Sequence, residues 1–268
     1  MKTEVTQEQI DSYQREGFII LEDFMSEEEI DEILAAVEES VAQMGKQKVA
    51  GDGNVDLVEG DSFYDRVFLQ RLNLWRINET IKSYFLSPEL GEMLAKLAGV
   101  DGIHVWHDQT LQKAPWANPT AWHLDNPYWS FHSHNALSIW VALDEATIQN
   151  GCMYYIPGSH KTASFDNVDI REDVGALFDV YTEWRGIEPV VAEMKRGWAG
   201  VHNGLTAHGA GPNMTPNPRR AMTCAYMPAG AKFNGQQNIL PASFVETLNV
   251  GDPLISDDHL PLIWSREN

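Results

Sequence analysis

Residues 122–129 read WHLDNPYW, a stretch that places the imidazole of His123 two positions from the carboxylate of Asp125. Side chains two apart on an extended strand lie on the same face, so we predict that these two groups converge on one ion. A third ligand is offered by His208, which begins the later run HGAGPN. Two histidines and one carboxylate suit Fe(II) and leave the opposite coordination positions open.

The composition is that of a globular protein. The chain has 268 residues, of which 43% are hydrophobic and 10% aromatic, which is ample for a buried core. We expect one domain over residues 1–268. Its helical part should extend to about residue 100, its β core should span about 101 to 228, and the tail from 229 to 268 should be irregular and pack over the core.

The charge is strongly acidic, because 19 Lys and Arg face 39 Asp and Glu, for a formal charge of −20. Such a chain repels phosphate backbones and anionic lipid, so we expect neither nucleic acid nor a membrane as a partner. The first residues lack the pattern of a signal peptide, and we expect a cytoplasmic protein. Two cysteines, Cys152 and Cys224, fit free buried thiols better than a disulfide.

The first hundred residues carry helix signals. Ser26 and Glu29 form a capping box before apolar residues that recur at helical spacing. Glycines and mixed charges from Met44 to about Asp61 predict a loop, which could cover the site. The other predicted elements are a helix from Thr6 to about Arg15 that ends at Gly17, a strand over 18–21, and a helix from Ser87-Pro88 that Gly99 closes.

After Gly102 the pattern becomes β-like. Short segments rich in β-branched and aromatic residues are separated by Pro, Gly and Asn turns, which is typical of an antiparallel barrel or a two-sheet jelly roll. The predicted strands are 103–113, 119–125, 136–143, 152–156, 188–194, 197–203 and 219–227.

These motifs together resemble the phytanoyl-CoA dioxygenase-like family of Fe(II)- and 2-oxoglutarate-dependent oxygenases. The resemblance covers nearly the whole chain. It rests on YQREGF at 13–18, HLD at 123–125, IWVALDEA at 139–146, NGC at 150–152, IPGSH at 156–160, HG at 208–209, Asn213 and RRA at 219–221. It implies a mainly β fold with helical additions, a cupin-like double-stranded β-helix (jelly roll) with the N-terminal helices packed on one sheet.

The resemblance implies that His123, Asp125 and His208 hold iron and that Arg219 binds the distal carboxylate of 2-oxoglutarate. A guanidinium can grip a carboxylate through two parallel hydrogen bonds. Strand alternation places Arg219 with the small side chains of Ala221 and Thr223, whereas Arg220 faces the other way, so we choose Arg219 over Arg220.

Other positions have two interpretations. Lys113 and Trp140 match cosubstrate-pocket positions, but Lys113 could equally be a surface charge and Trp140 a core aromatic. His202 competes with His208 as third ligand but lacks the glycine-rich turn that follows His208. A structural role is expected for His107, as for the remaining histidines, although it could still contact substrate. Ala210 stands where the family often has a serine that contacts the cosubstrate. Five aromatic residues form either a water-excluding wall or part of the core: Trp116, Trp122, Tyr128, Trp129 and Phe131.

The implied reaction couples decarboxylation of 2-oxoglutarate to oxidation of an organic substrate by O2, with Fe(II) as the metal. Succinate, CO2 and a hydroxylated product would result. We expect a small neutral or cationic substrate, because a polyanion such as a CoA ester needs a cluster of basic residues. The alternatives are a metal-dependent cupin-like isomerase or hydrolase that does not use 2-oxoglutarate, and a non-catalytic jelly-roll binding module.

Overall fold

The computed structural model describes residues 1–60 and 63–267. Within this range the α-helices are α1 (Gln7–Glu16), α2 (Glu27–Met44), α3 (Glu79–Phe85), α4 (Pro88–Ala98), α5 (Leu177–Val180) and α6 (Ala242–Val245). The predicted capping signals are confirmed. Ser26 and Glu29 form a reciprocal capping box at the start of α2, and Gly17 closes α1 in a left-handed conformation with a φ of 84°.

The strands in the described part of the chain form two antiparallel sheets. They are β1 (Phe18–Leu21), β2 (Leu69–Leu72), β3 (Gly102–Lys113), β4 (Thr120–His123), β5 (Leu137–Ala142), β6 (Met153–Tyr155), β7 (Val190–Ala192), β8 (Ala199–Asn203), β9 (His208–Ala210), β10 (Arg219–Pro228) and β11 (Leu262–Ser265). The large sheet has the order β1-β8-β5-β10-β3-β11, with β2 also paired to β3, and the small sheet has the order β4-β9-β6-β7. This two-sheet arrangement confirms the predicted jelly roll.

The N-terminal helices cover one face of the large sheet, as predicted. Ile33 and Val37 of α2 and Leu94 of α4 are fully buried in one apolar cluster with Ile139 of β5 and Cys224 of β10. Burial of an apolar side chain contributes about 1.5 to 3 kcal/mol, so this cluster anchors the helices to the sheet. The opposite face of the sheet is therefore left to face the small sheet.

The long strand β3 organises two segments that sequence patterns did not predict as strands. Its C-terminal half pairs with β2 and its N-terminal half pairs with β11. The tail after residue 228, expected to be irregular, thus contributes a strand to the large sheet as well as the short helix α6. Both strands have four residues, too few for a clear alternation, and they form because β3 offers unpaired backbone groups.

The segment from residue 45 to 60 lacks helices and strands of its own, as predicted. It is pinned by isolated bridges from Gln47 to Val58 and from Val49 to Leu72. The predicted end of this loop, Asp61, lies outside the described residues. No helix of the described chain is long and apolar enough to cross a membrane. Cys152 and Cys224 are buried and free, as expected.

A buried carboxylate connects β3 to the segment before α3. The two oxygens of Asp108 accept hydrogen bonds of 2.7 Å from the backbone N–H groups of Leu74 and Trp75. Replacing Asp108 by Ala leaves both donors buried without a partner. We expect this change to lower the free energy of unfolding by roughly 2 to 4 kcal/mol, measured by urea denaturation.

A suitable control is Asp101→Ala, because Asp101 forms an exposed ion pair with Arg266, and such pairs contribute little. Equal destabilisation by the two substitutions would contradict the proposed role of Asp108.

Candidate active site

The inner face of the large sheet presents its side chains in transverse rows. Cross-strand partners of an antiparallel sheet point to the same face, so the register defines each row. His202 of β8 pairs with Ser138 of β5, Ser138 with Ala225 of β10, and Ala225 with His107 of β3. One row therefore carries His202, Ser138 and His107, with the small residue Ala225 between Ser138 and His107.

The next rows along β3 and β10 approach a pair of basic residues. Trp140, Thr223 and Gln109 form the next row. Two rows further, Arg219 is paired with Lys113 at the end of both strands. The inner face thus passes from histidines at one end to two buried basic side chains at the other.

The small sheet brings His123 and His208 together. They are cross-strand partners on β4 and β9, and their ring centroids lie 4.2 Å apart. Each ring places Nδ1 near a backbone carbonyl oxygen, 2.8 Å from Ala121 for His123 and 2.9 Å from Thr206 for His208. If Nδ1 carries the proton in each ring, both Nε2 atoms keep a lone pair for a metal.

Asp125 reaches the two histidines from a turn and not from a strand. β4 ends at His123, and Asp125 has helical backbone angles, with φ −77° and ψ −50°. Its backbone N–H donates to the carbonyl oxygen of Gly204 at 3.0 Å. The predicted strand 119–125 was therefore too long, and same-face alternation was the wrong reason for the convergence of His123 and Asp125.

The two carboxylate oxygens of Asp125 have different neighbours. Oδ1 lies 3.6 Å from Nε2 of both His123 and His208. Oδ2 accepts a hydrogen bond from Ser138 Oγ at 3.1 Å and faces Nε2 of His202 at 3.3 Å. His202 therefore contacts the oxygen turned away from the other two histidines, which fits an orienting residue better than a third ligand.

The electrostatics favour an ionised Asp125 beside a neutral His208. Burial alone would raise the pKa of Asp125, but the neighbouring imidazoles, first His208 and then His123 and His202, hold it well below its usual range. Burial, together with His123, lowers the pKa of His208 well below its usual value. Both states are those in which the side chains bind metals.

The donor set fits Fe(II). One ligand atom from each of His123, Asp125 and His208 lies within 4.8 Å of the other two. Two neutral nitrogens and one carboxylate oxygen are the ligands of non-haem iron sites that keep open positions for other reagents.

Arg219 is a buried cation that needs an anion. Its side chain is 1% exposed, yet Nε and Nη1 have no hydrogen-bond partner and no acidic side chain forms an ion pair with it, as far as the described residues show. Burial lowers its pKa to about 10, so the guanidinium remains charged at neutral pH. A buried charge of this kind is costly without a counter-ion, so the site fits a ligand carboxylate.

Arg220 lies on the opposite face of β10. It makes two hydrogen bonds of 2.8 Å to Asp144 and an ion pair of 2.6 Å with Glu38 of α2. Its charge is therefore already compensated, as the alternation of side chains predicts.

The other predicted cosubstrate residues differ in position. The Trp140 ring lies 5.1 Å from the guanidinium carbon of Arg219 and lines the same cavity. Lys113 is fully buried beside Arg219, but it is not among the residues that line the cavity, and its Nζ donates to the carbonyl oxygen of Asn118 at 2.6 Å. Burial, with the charge of Arg219, lowers the pKa of Lys113 to about 6. Lys113 thus bonds to the backbone of Asn118 and does not line the space that a ligand would fill.

The cavity around these groups has a volume of about 360 Å³. Tyr128 and Trp129 line it, whereas Phe131 belongs to a buried cluster behind it. Trp116 is 65% exposed, and Trp122 packs against Phe178 outside the cavity. Only two of the five aromatic residues considered for the wall thus contribute to it.

Sequence reasoning missed Thr120 and Ser138. Thr120 is the cross-strand partner of Ala210, lines the cavity, and has a buried Oγ1 without a partner among the described residues. Ser138 of the large sheet contacts Asp125 because the end of β4 in the small sheet lies over it. Neither residue stands in a motif, so only strand pairing could have revealed it.

Comparison with known proteins agrees with this geometry. Residues 13–221 match the phytanoyl-CoA dioxygenase (PhyH) family. The chain belongs to this family. A probable alpha-ketoglutarate-dependent hypophosphite dioxygenase of Stutzerimonas stutzeri is 30% identical over 234 residues, which cover 84% of this chain and 79% of that protein.

Solved structures show the same fold over almost the whole chain. The non-heme alpha ketoglutarate dependent carbocyclase SnoK from nogalamycin biosynthesis is 26% identical, with a TM-score of 0.77 and 96% of each chain covered. The epimerase SnoN, solved with Fe3+ and alpha ketoglutarate, is 24% identical with a TM-score of 0.78, covering 96% of this chain and 98% of SnoN. This PhyH protein is a 2-oxoglutarate-dependent non-haem iron dioxygenase that uses Fe(II), 2-oxoglutarate and O2.

The assignment of the iron ligands can be tested by alanine substitution. We expect His208→Ala to abolish stable iron binding, because two ligands hold the metal far more weakly than three. His202→Ala should lower the affinity by about 10- to 100-fold without abolishing binding, the usual effect of losing a residue that orients a ligand. Iron content after anaerobic reconstitution is the measurement. Iron retained in His208→Ala but lost in His202→Ala would reverse the assignment.

The two adjacent arginines provide a matched pair for the cosubstrate. Arg219→Leu removes the counter-ion of a buried carboxylate, which costs roughly 2 to 5 kcal/mol, so the KM for 2-oxoglutarate should rise steeply. Arg220→Leu should change that KM little, because Arg220 contacts Asp144 and Glu38 on the other face. Similar increases in the KM for 2-oxoglutarate from both substitutions would show that Arg219 does not bind the carboxylate of 2-oxoglutarate.

Proposed function

We propose that this protein hydroxylates an aliphatic carbon of a small organic molecule and releases succinate and CO2. Residues 1–268 would act as one domain in this reaction. The observation that carries the proposal is the pairing of a two-histidine, one-carboxylate cluster with a buried, uncompensated arginine in one cavity. An isomerase, a hydrolase or a binding module that uses no 2-oxoglutarate would need another anionic ligand to compensate such an arginine.

In this proposal His123, Asp125 and His208 hold the iron, and Ser138 and His202 keep the carboxylate turned towards it. Bound Fe(II) supplies open positions at which 2-oxoglutarate and O2 can react. The protein's part is to present three ligands on one side and to leave the other side open to the cavity. Ser138 and His202 hold the Oδ2 atom of Asp125, which prevents the loss of iron affinity that a freely rotating carboxylate would cause.

The distal carboxylate of 2-oxoglutarate would bind at the Arg219 end of the cavity. Arg219 provides the charge through its two unpartnered nitrogen atoms, Nε and Nη1, and the Oγ1 of Thr120 provides a hydrogen-bond donor. The ring of Trp140 lies against the guanidinium and limits its orientations. The family often has a serine at the position of Ala210. Thr120, the cross-strand partner of Ala210, would thus supply a hydroxyl group from the neighbouring strand.

The substrate would occupy the part of the cavity near Tyr128 and Trp129. Aromatic side chains there exclude water from the reacting carbon and suit a neutral or cationic organic molecule. A coenzyme A ester is disfavoured, because 360 Å³ must hold both cosubstrate and substrate and the chain has a formal charge of −20.

The test is anaerobic titration of the metal-free protein with Fe(II) and then 2-oxoglutarate, followed by visible spectroscopy. We expect a charge-transfer band that appears only when both are present and that is lost in His208→Ala and weakened in Arg219→Leu.

The substrate class is tested by measuring succinate formation with a panel of acyl-CoA esters and of free small metabolites. We expect stimulation by the free metabolites. A protein that binds Fe(II) without any band on addition of 2-oxoglutarate would contradict the proposed function, and coupled turnover limited to CoA esters would contradict the substrate class.

A further inference from the structure

Three residues in the cavity wall have buried polar atoms that lack a hydrogen-bond partner within the described chain. They are His107 at Nδ1, Thr120 at Oγ1 and Arg219 at Nε and Nη1. Buried polar atoms in folded proteins nearly always have partners, so unpartnered ones on residues that line a cavity call for an explanation, and a bound ligand provides one. The proposed carboxylate site uses Thr120 and Arg219 but leaves His107 without a role.

His107 lies at the opposite end of the cavity floor from Arg219. It lies six positions along β3 from Lys113, the cross-strand partner of Arg219, which is about 20 Å along an extended strand. It lies in the row of Ser138 and His202, the two residues that contact Asp125. Along the strands His107 is therefore level with the proposed iron site and distant from the carboxylate site.

The surroundings of His107 leave space for a ligand and hold the ring in place. The residue between it and Ser138 in the row is Ala225, whose side chain is a single methyl group. The ring meets Trp129 edge-on, with centroids 6.4 Å apart and planes at 90°. His107 is 5% exposed, and burial lowers its pKa to about 4. It is thus a neutral imidazole, with one nitrogen that donates and one that accepts a hydrogen bond.

The charged side chains that line the cavity have partners or an assigned ligand. Lys48 forms an ion pair of 2.5 Å with Asp65, and Asp169 forms an ion pair with Arg171. Asp125 faces three imidazoles, and Arg219 is assigned to the cosubstrate. An ionic group on the substrate would therefore enter this part of the cavity without compensation, which is costly.

We propose that His107 determines substrate specificity by hydrogen bonding to an uncharged hydroxyl or carbonyl oxygen of the organic substrate. This inference rests on the proposed function, and it narrows the substrate from neutral or cationic to neutral and polar. The hydrogen bond anchors the substrate against Trp129, beside the row that contacts Asp125. A carbon near the anchored oxygen is then the one presented to the iron site.

The test uses simple ring compounds that differ in one group. Cyclohexanol and cyclohexanone are the neutral probes, cyclohexylammonium is the cationic probe, and cyclohexanecarboxylate is the anionic probe. Binding to the anaerobic protein loaded with Fe(II) and 2-oxoglutarate is measured by calorimetry, which requires no turnover. The variants are His107→Phe, which keeps an aromatic ring without hydrogen-bonding atoms, and His107→Gln, which restores them.

His104→Phe is the matched control. His104 is also a buried histidine of β3, but its Nδ1 lies 2.8 Å from the carbonyl oxygen of Leu260, and it is not among the residues that line the cavity. Substitution there should affect stability and leave the affinity for the probes unchanged. The visible band of the Fe(II) and 2-oxoglutarate complex is recorded for every variant to show that the site is intact.

We expect the wild-type protein to bind the two neutral probes about ten-fold more tightly than the ionic ones. His107→Phe should lose about ten-fold in affinity for the neutral probes, the effect of one unmade hydrogen bond in a buried site, and His107→Gln should recover part of it. Wild-type affinity in His107→Phe, equal binding of ionic probes, or no binding of neutral probes by the wild type would overturn the proposal. A missing visible band in the wild type would instead contradict the proposed function.

Discussion

The half-buried carboxylate of Asp125 is the constraint on which the site depends. A carboxylate can remain ionised in the interior only when polar groups surround it, and here four side chains from both sheets do so. His123 and His208 approach one oxygen, while Ser138 and His202 approach the other. The second pair belongs to the large sheet, so the carboxylate connects the two halves of the sandwich at the point where the metal ligands meet.

The two sheets have different roles in the site. The small sheet and its following turn carry the three proposed iron ligands on short strands and tight connections. The large sheet provides a rigid floor on which His107, Trp140 and Arg219 occupy three different rows, with the Leu111 and Ala221 row between those of Trp140 and Arg219. Long paired strands hold side chains more precisely than loops do, which is useful where a cosubstrate and a substrate must lie side by side.

Local patterns predicted the parts of the fold and the site that local physics determines. The capping box at Ser26 and the alternation that separates Arg219 from Arg220 depend on residues a few positions apart. Strands β2 and β11 could not be predicted in this way, because their pairing with β3 joins distant parts of the chain. The same limit applies to Ser138 and Thr120, whose neighbours are set by strand order. It also explains why Phe131 and Trp116, though close in sequence to His123, have no place in the cavity wall.

The cavity has a closed end and an open end, and this difference determines the order in which ligands can bind and leave. Arg219 lies at the closed end and is almost completely buried, whereas Leu57 and Asp169, which also line the cavity, are much more exposed. A molecule seated between Tyr128 and Trp129 would stand between solvent and the guanidinium. The kinetics should therefore follow a compulsory sequence in which the keto acid enters first and succinate is the last product to depart. A large excess of the organic substrate would then act as an inhibitor, by blocking the path that the keto acid must take.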